Sequence, residues 1–259
     1  MTSDENYDDR HIAFLEALWG EGYLSPGGPA EVERLLDGLD LSGKTVVDIG
    51  SGAGGITIAL ARDYNAAKVI GLDVEASVCT HARRMVDRAS LSDRVEIRQV
   101  TPGPLPLDDG SIDMVFSKDA IVHIPDKESL AKDAFRVLRP GGIFAASDWL
   151  ISHDGAPSPE MADYIAKEDL DFGMASPSRY EKALTAAGFV DVSLTNRNPW
   201  YRDVAQQELD RLTGPEQPIF VDAIGEADLG GMIETWRAML IVLRSGEHCP
   251  HHFHAVKPR

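Results

Sequence analysis

Hydrophobic and polar positions change their period along this chain. Residues 11–19 place Ile12, Leu15, Leu18 and Trp19 on one helical stripe. A glycine-rich break follows at 20–28, then a second helical segment at 29–39. From residue 45 short β-branched runs alternate with helical stretches, the pattern of an α/β chain wound on a parallel sheet. Strands are expected at 45–49, 68–73, 94–98, 112–117, 143–148 and 190–194, with a last one in the tail, 249–256. Helices are expected at 56–62, 77–88, 127–137, 157–172, 176–187, 203–212 and 229–243. Arg139-Pro140-Gly141-Gly142 reads as a helix-to-strand turn.

Composition narrows the picture. The chain has 259 residues, 43% of them apolar, enough for one large core. A formal charge of -17, from 42 acids against 25 bases, argues against nucleic acid or an anionic membrane as partner. The same field suits a cationic or zwitterionic small molecule. No apolar run approaches the ~18 residues of a membrane span. Two cysteines, Cys79 and Cys249, make no disulfide framework, and the acidic stretch 1–10 lacks the apolar segment of an export signal. A cytoplasmic location is therefore expected.

Candidate chemistry begins at Asp48-Ile49-Gly50-Ser51-Gly52-Ala53-Gly54-Gly55, between the first strand and the next helix. Glycines there allow a tight turn and a close approach of backbone to a ligand at a helix N-terminus. Asp73 ends the second strand, where an acid can accept hydrogen bonds from ribose hydroxyls. The spacing of Gly50, Gly52 and Gly55 also fits a dinucleotide, as in a nicotinamide dehydrogenase. Asp48 separates the two readings: it would repel a pyrophosphate but suits the ammonium of S-adenosyl-L-methionine.

The segments 46–55, 71–74 and 138–142 resemble the motifs of class I S-adenosylmethionine-dependent methyltransferases. The stretches 19–28 and 117–123 are similar to the phosphoethanolamine N-methyltransferases and, more distantly, to the glycine-betaine-type N-methyltransferases. The resemblance implies a Rossmann-like fold: a seven-stranded, mostly parallel sheet with helices on both faces. It also implies one domain over 1–259, divided into a helical lid (1–40), a cofactor-binding core (41–150) and an acceptor-binding insertion with the C-terminal strands (151–259). It implies a Tyr7–His123 dyad over the acceptor and cofactor contacts from Asn6, Ser25, Gly50, Asp73, Val74 and Lys118. The family's adenine-binding acid appears here as Thr101. The residues that hold a phosphate are mostly absent, although Tyr164 matches one of them. Glu168, Asp169 and Asp171 in its place suit an acceptor with a positive end.

An alkyl amine has a pKa of ~10.4, so roughly one molecule in 10³ is neutral at pH 7. That shortfall costs about 4 kcal/mol, within the ~10²–10⁴-fold reach of a general base. His123 is the expected base, with Asp119 one turn earlier as its support. A thioether such as methionine needs no base, so S-methylation is the alternative. Trp149, Trp200, Tyr201, Trp236 and Met239 are candidates for an aromatic wall around a methylated cation. The tail 248–254 is rich in histidine, yet its spacing matches no standard zinc site, and no metal is expected. If it is a strand, His252 and His254 share one face and His251 takes the other.

Overall fold

A computed structural model describes residues 8–259 of the chain. Seven strands form one sheet: β1 (Thr45–Ile49), β2 (Lys68–Asp73), β3 (Val95–Gln99), β4 (Ile112–Lys118), β5 (Leu138–Asp148), β6 (Val190–Asn196) and β7 (His251–Val256). Their spatial order is β3-β2-β1-β4-β5-β7-β6. Neighbours are parallel from β3 to β5, whereas β7 runs antiparallel to both β5 and β6. The α/β expectation and the seven strands hold. β5 begins earlier than expected, because Leu138 already pairs with Ile112. The residues read as a turn form an irregularity within the strand, with Gly141 at φ 81°.

Helices α3 (Gly55–Arg62) and α4 (Ala76–Arg88) cover one sheet face. Helices α5 (Lys127–Val137) and α7 (Pro177–Ala187) cover the other. Each presents an apolar stripe to β-branched strand positions that are almost wholly buried. A separate layer joins α1 (Asp9–Trp19), α6 (Pro159–Glu168), α8 (Asn198–Thr213), α9 (Gln217–Ile224) and α10 (Glu226–Ser245) around Phe14, Tyr164, Tyr201, Phe220 and Met239. Helix α9 was not expected; it is only eight residues long and opens Gln217-Pro218, too short for a clear stripe.

Within the segment expected as a helical lid, α1 joins the helical layer, whereas α2 (Gly28–Leu35) buries Val32 and Leu35 against the sheet core with Val46 and Ile58. The helix expected to reach residue 172 stops at Glu168, where Asp169 takes a left-handed conformation at φ 52°. Asp tolerates that geometry better than most residues. No helix of the described residues is long and apolar enough to cross a membrane.

Candidate functional site

The carboxyl ends of β1, β2, β4 and β5 converge, as ligand sites do in open parallel sheets. The turn after β1 is tied down by its own backbone: Gly50 and Ser51 donate to the Leu72 carbonyl at 2.8 and 3.1 Å. Gly52 donates to Asp73 Oδ2 at 2.8 Å, and Glu75 donates to Oδ1 at 3.0 Å. The Val74 amide is a third backbone donor to this carboxylate, which leaves one of its roughly four acceptor positions open. Burial raises the Asp73 pKa, and these backbone donors partly offset the rise.

Glycine is required here for space as well as for conformation. A Cβ on Gly50, at φ 73°, would fall 2.1 Å from the Ala120 Cβ. A Cβ on Gly55 would fall 2.6 Å from the Gly22 carbonyl oxygen, to which Gly55 itself donates at 3.0 Å. Gly55 therefore locks the break at 20–28 onto the loop. Val74 leaves an apolar surface beside Asp73, 47% exposed, and Thr101 is exposed on the loop after β3.

Asp48 lies beneath the glycine loop. It is 2% exposed and accepts from Thr57 Oγ1 at 2.7 Å. Burial pushes its pKa up to about 7. It braces the first turn of α3.

At the end of β4, Lys118 Nζ donates to Ser25 Oγ and the Pro26 carbonyl, both at 2.8 Å, and to Asp119 Oδ2 at 2.6 Å. This buried cation thus clamps the 20–28 segment over the strand end. Asp119, at φ 56°, also takes Ser147 Oγ at 2.7 Å. The support of His123 by Asp119 is corrected accordingly: both Asp119 oxygens are committed to Lys118 and Ser147.

His123 closes a single 3₁₀ turn, Ile121–His123, and its Nδ1 lies 2.7 Å from the Leu170 carbonyl. A carbonyl can only accept, so Nδ1 carries the proton and Nε2 keeps a free lone pair. The ring also packs on Phe172, with centroids 5.4 Å apart. Crowding on this side lowers the His123 pKa, although the residue as a whole remains exposed. Gly173 donates to the Val122 carbonyl at 2.8 Å, so the loop after α6 is stitched to the histidine turn. Leu170 and Phe172 were missed in the sequence because a helix was expected over 157–172, and Gly173 because nothing local marks its pairing with Val122.

Beyond Phe172 the rings continue. Trp149 stands 5.4 Å from Phe172 and 6.1 Å from Tyr201, centroid to centroid. Tyr164 is wholly buried and lies 6.3 Å from Phe172. Glu168 sits beside the Tyr164 hydroxyl, and burial lifts its carboxyl to about 7. Asp169 and Asp171 face solvent. Trp236 belongs elsewhere: it and Trp19 donate to Glu208 at 3.0 and 2.6 Å, joining α1, α8 and α10.

A small cavity opens between Lys118, Asp119, Trp149, Trp200, Tyr201 and Arg197. Both of its cations are tied to acids, since Arg197 grips the buried Glu31 through two bonds of 2.8 and 2.9 Å. A larger cleft, lined by Glu128, His153, Arg179 and Lys182, opens behind the 170–176 loop and includes none of the glycine-loop residues.

In the tail, His252 and His254 do share a face, contacting Glu31 at 2.8 Å and the Leu35 carbonyl at 2.7 Å on α2. His251 points to the Cys249 carbonyl. Among the described residues no three His, Cys, Asp or Glu side chains gather as for a metal. Asn6 and Tyr7 lie outside the described residues.

A family model for a methyltransferase domain matches residues 40–188. The chain is 30% identical over 242 residues to phosphoethanolamine N-methyltransferase 3 of Arabidopsis thaliana, spanning 93% of this chain and 48% of that relative. Over 175 residues it is 30% identical to the sarcosine/dimethylglycine N-methyltransferase of Halorhodospira halochloris, 66% of this chain and 62% of the other. Phosphoethanolamine N-methyltransferase 2 of Haemonchus contortus, solved with phosphomonomethylethanolamine and S-adenosylhomocysteine, superposes with a TM-score of 0.90 at 25% identity. That match covers 99% of this chain and 59% of the other. The chain spans about half the length of the plant relatives it matches.

Proposed function

The chain belongs to the methyltransferase-domain family, and from that premise we propose that it carries a methyl group from S-adenosylmethionine to the nitrogen of a small amine. The glycine loop 50–52, Asp73, Val74, Ser25 and Lys118 are the residues that would hold the cofactor. S-adenosylmethionine, when bound, supplies a methyl group on a sulfonium.

The observation that carries the reading is the state of His123. With Nδ1 committed to Leu170, Nε2 is the atom available to take a proton from an ammonium acceptor. The lowered pKa keeps the ring unprotonated at neutral pH. The lid contacts through Lys118 and Gly55 would exclude water and hold the acceptor in line, an effect worth ~7–11 kcal/mol in well-aligned reactions.

The acceptor is an unphosphorylated cation or zwitterion in this reading. Phosphorylated amines belong to the named phosphoethanolamine relatives, but Lys118 and Arg197, the cations of the small cavity, are already paired with acids. Release of adenosylhomocysteine, followed across a panel of amines, amino acids, phosphobases and thioethers, tests the assignment. An amine should turn over, and His123→Ala should lower kcat by at least about 10²-fold. Turnover of a thioether with His123→Ala near wild-type rate would instead establish S-methylation.

A further inference from the structure

His248 is wholly buried, and its ring lies 5.8 Å from Trp149, 5.5 Å from Tyr164 and 6.1 Å from Tyr201. Its Nδ1 faces the Leu150 carbonyl at 3.3 Å. By the reasoning applied to His123, that nitrogen bears the hydrogen and Nε2 is a bare acceptor. Among the described residues Nε2 meets no hydrogen-bond partner. Buried polar atoms are nearly always satisfied, so a donor belongs there. The neighbouring Tyr201 hydroxyl is not that donor, because it is directed to the Met239 sulfur at 3.4 Å.

Where this atom lies suggests what should meet it. A chain of touching rings runs from His123 to Phe172 at 5.4 Å, from Phe172 to Trp149 at 5.4 Å, and from Trp149 to His248. Trp149 directly follows the last residue of β5, at the ligand end of the sheet. Aromatic faces along that path suit an alkylated ammonium, and Nε2 then stands at the far end from the base.

We propose that His248 is a specificity-determining residue of the acceptor pocket, whose Nε2 accepts a hydrogen bond from a hydroxyl or N–H at the end of the acceptor opposite the methylated nitrogen. The inference rests on the amine reading above and extends it to amino alcohols and their kin. An acceptor atom repels a phosphate or carboxylate, and burial holds the pKa of this ring down at about 4, so it stays neutral at physiological pH. Acceptors with an anionic far end are disfavoured by the same feature.

Calorimetry on the chain saturated with adenosylhomocysteine tests this with three probes. Choline carries the hydroxyl, propyltrimethylammonium replaces it with a methyl group, and phosphocholine replaces it with an anion. Choline is expected to bind at least about fivefold tighter than the other two. His248→Phe should reduce the choline preference over propyltrimethylammonium to less than twofold, and His248→Gln, which restores an acceptor, should recover part of it. Equal affinity for choline and propyltrimethylammonium in the wild type overturns the proposal, leaving Nε2 to a structural water; so does tightest binding of phosphocholine. If His248→Phe fails to fold, the wild-type comparison still decides. Binding of adenosylhomocysteine with none of the amines overturns the amine reading and this inference together, whereas equal binding of both amines overturns only the latter.

Discussion

Recognition on the glycine-loop side of the sheet depends on missing atoms. Gly50 has no room for a methyl group against Ala120, Gly55 none against Gly22, and the loop amides are turned onto the Leu72 carbonyl and the Asp73 carboxylate. On the other side, beyond β5, the surface is made of bulk: Trp149, Tyr164, Phe172, Tyr201 and His248 fill the space with rings. The first side comes mainly from one stretch, 48–75, braced by its own hydrogen bonds and by Gly22, with Ser25 and Lys118 beside it. The second draws each ring from a different segment. A backbone cradle can suit one ligand shared by many enzymes, whereas a wall of side chains can be altered one residue at a time. The contrast fits an enzyme whose cofactor side is constant and whose acceptor side sets the substrate.

The sharpest break of this contrast is Gly50→Ala. The added methyl clashes with Ala120 and forces a left-handed backbone on alanine, together destabilising by about 3 kcal/mol. Thermal unfolding should fall by roughly 6–12 °C, and adenosylhomocysteine binding should be lost. An unaltered melting point would mean that the loop is not held as tightly as its contacts indicate.

Next in size is Trp149→Leu. It should raise the acceptor KM by about tenfold through loss of ring contact and leave adenosylhomocysteine affinity within about twofold. Equal damage to both affinities would show that the two sides are not separable.

A pH profile sharpens the join between them. His123 acts unprotonated and its pKa is lowered, chiefly by burial, so kcat/KM should rise through a limb lying below the usual histidine value of 6.5 and be flat above it. A limb above that value would place the base elsewhere.

The smallest effect concerns the helical layer behind the rings. Burial raises the Glu208 carboxyl to about 7, despite the Trp236 and Trp19 donors and the charges of Arg211 and Lys118. A folded-state pKa above the unfolded 4.5 means the folded chain holds the extra proton. The stabilisation is complete below that unfolded value and is lost as pH rises through 7. Stability should decline by up to about 1 kcal/mol per pH unit near neutrality, and Glu208→Gln should flatten the slope in chemical unfolding experiments.

Local pattern was enough for much of the molecule. The five parallel strands, α5 and the Asp48–Gly55 loop announce themselves by β-branched runs, by helical stripes and by glycines whose spacing a tight turn demands. It also singled out Asp73, Lys118, Ser25 and His123 as candidates through their motifs. It could not show what Asp48 and Asp119 touch, because an acid beside a ligand site and an acid satisfied by Thr57, or by Lys118 and Ser147, are the same letter in a sequence.

What the linear order determined, then, is the sheet, its glycine loop and the identity of a candidate base, since each depends on residues within a few positions of one another. Tertiary structure alone decided that β7 inserts between β5 and β6, that Leu170 orients His123, and that rings from residues 149, 164, 172, 201 and 248 meet around one unsatisfied nitrogen. Those contacts join segments that in places lie more than a hundred residues apart, as Ile143 and Val256 do. No periodicity encodes such pairings; they arise only when the buried faces of the sheet and the helical layer close on each other.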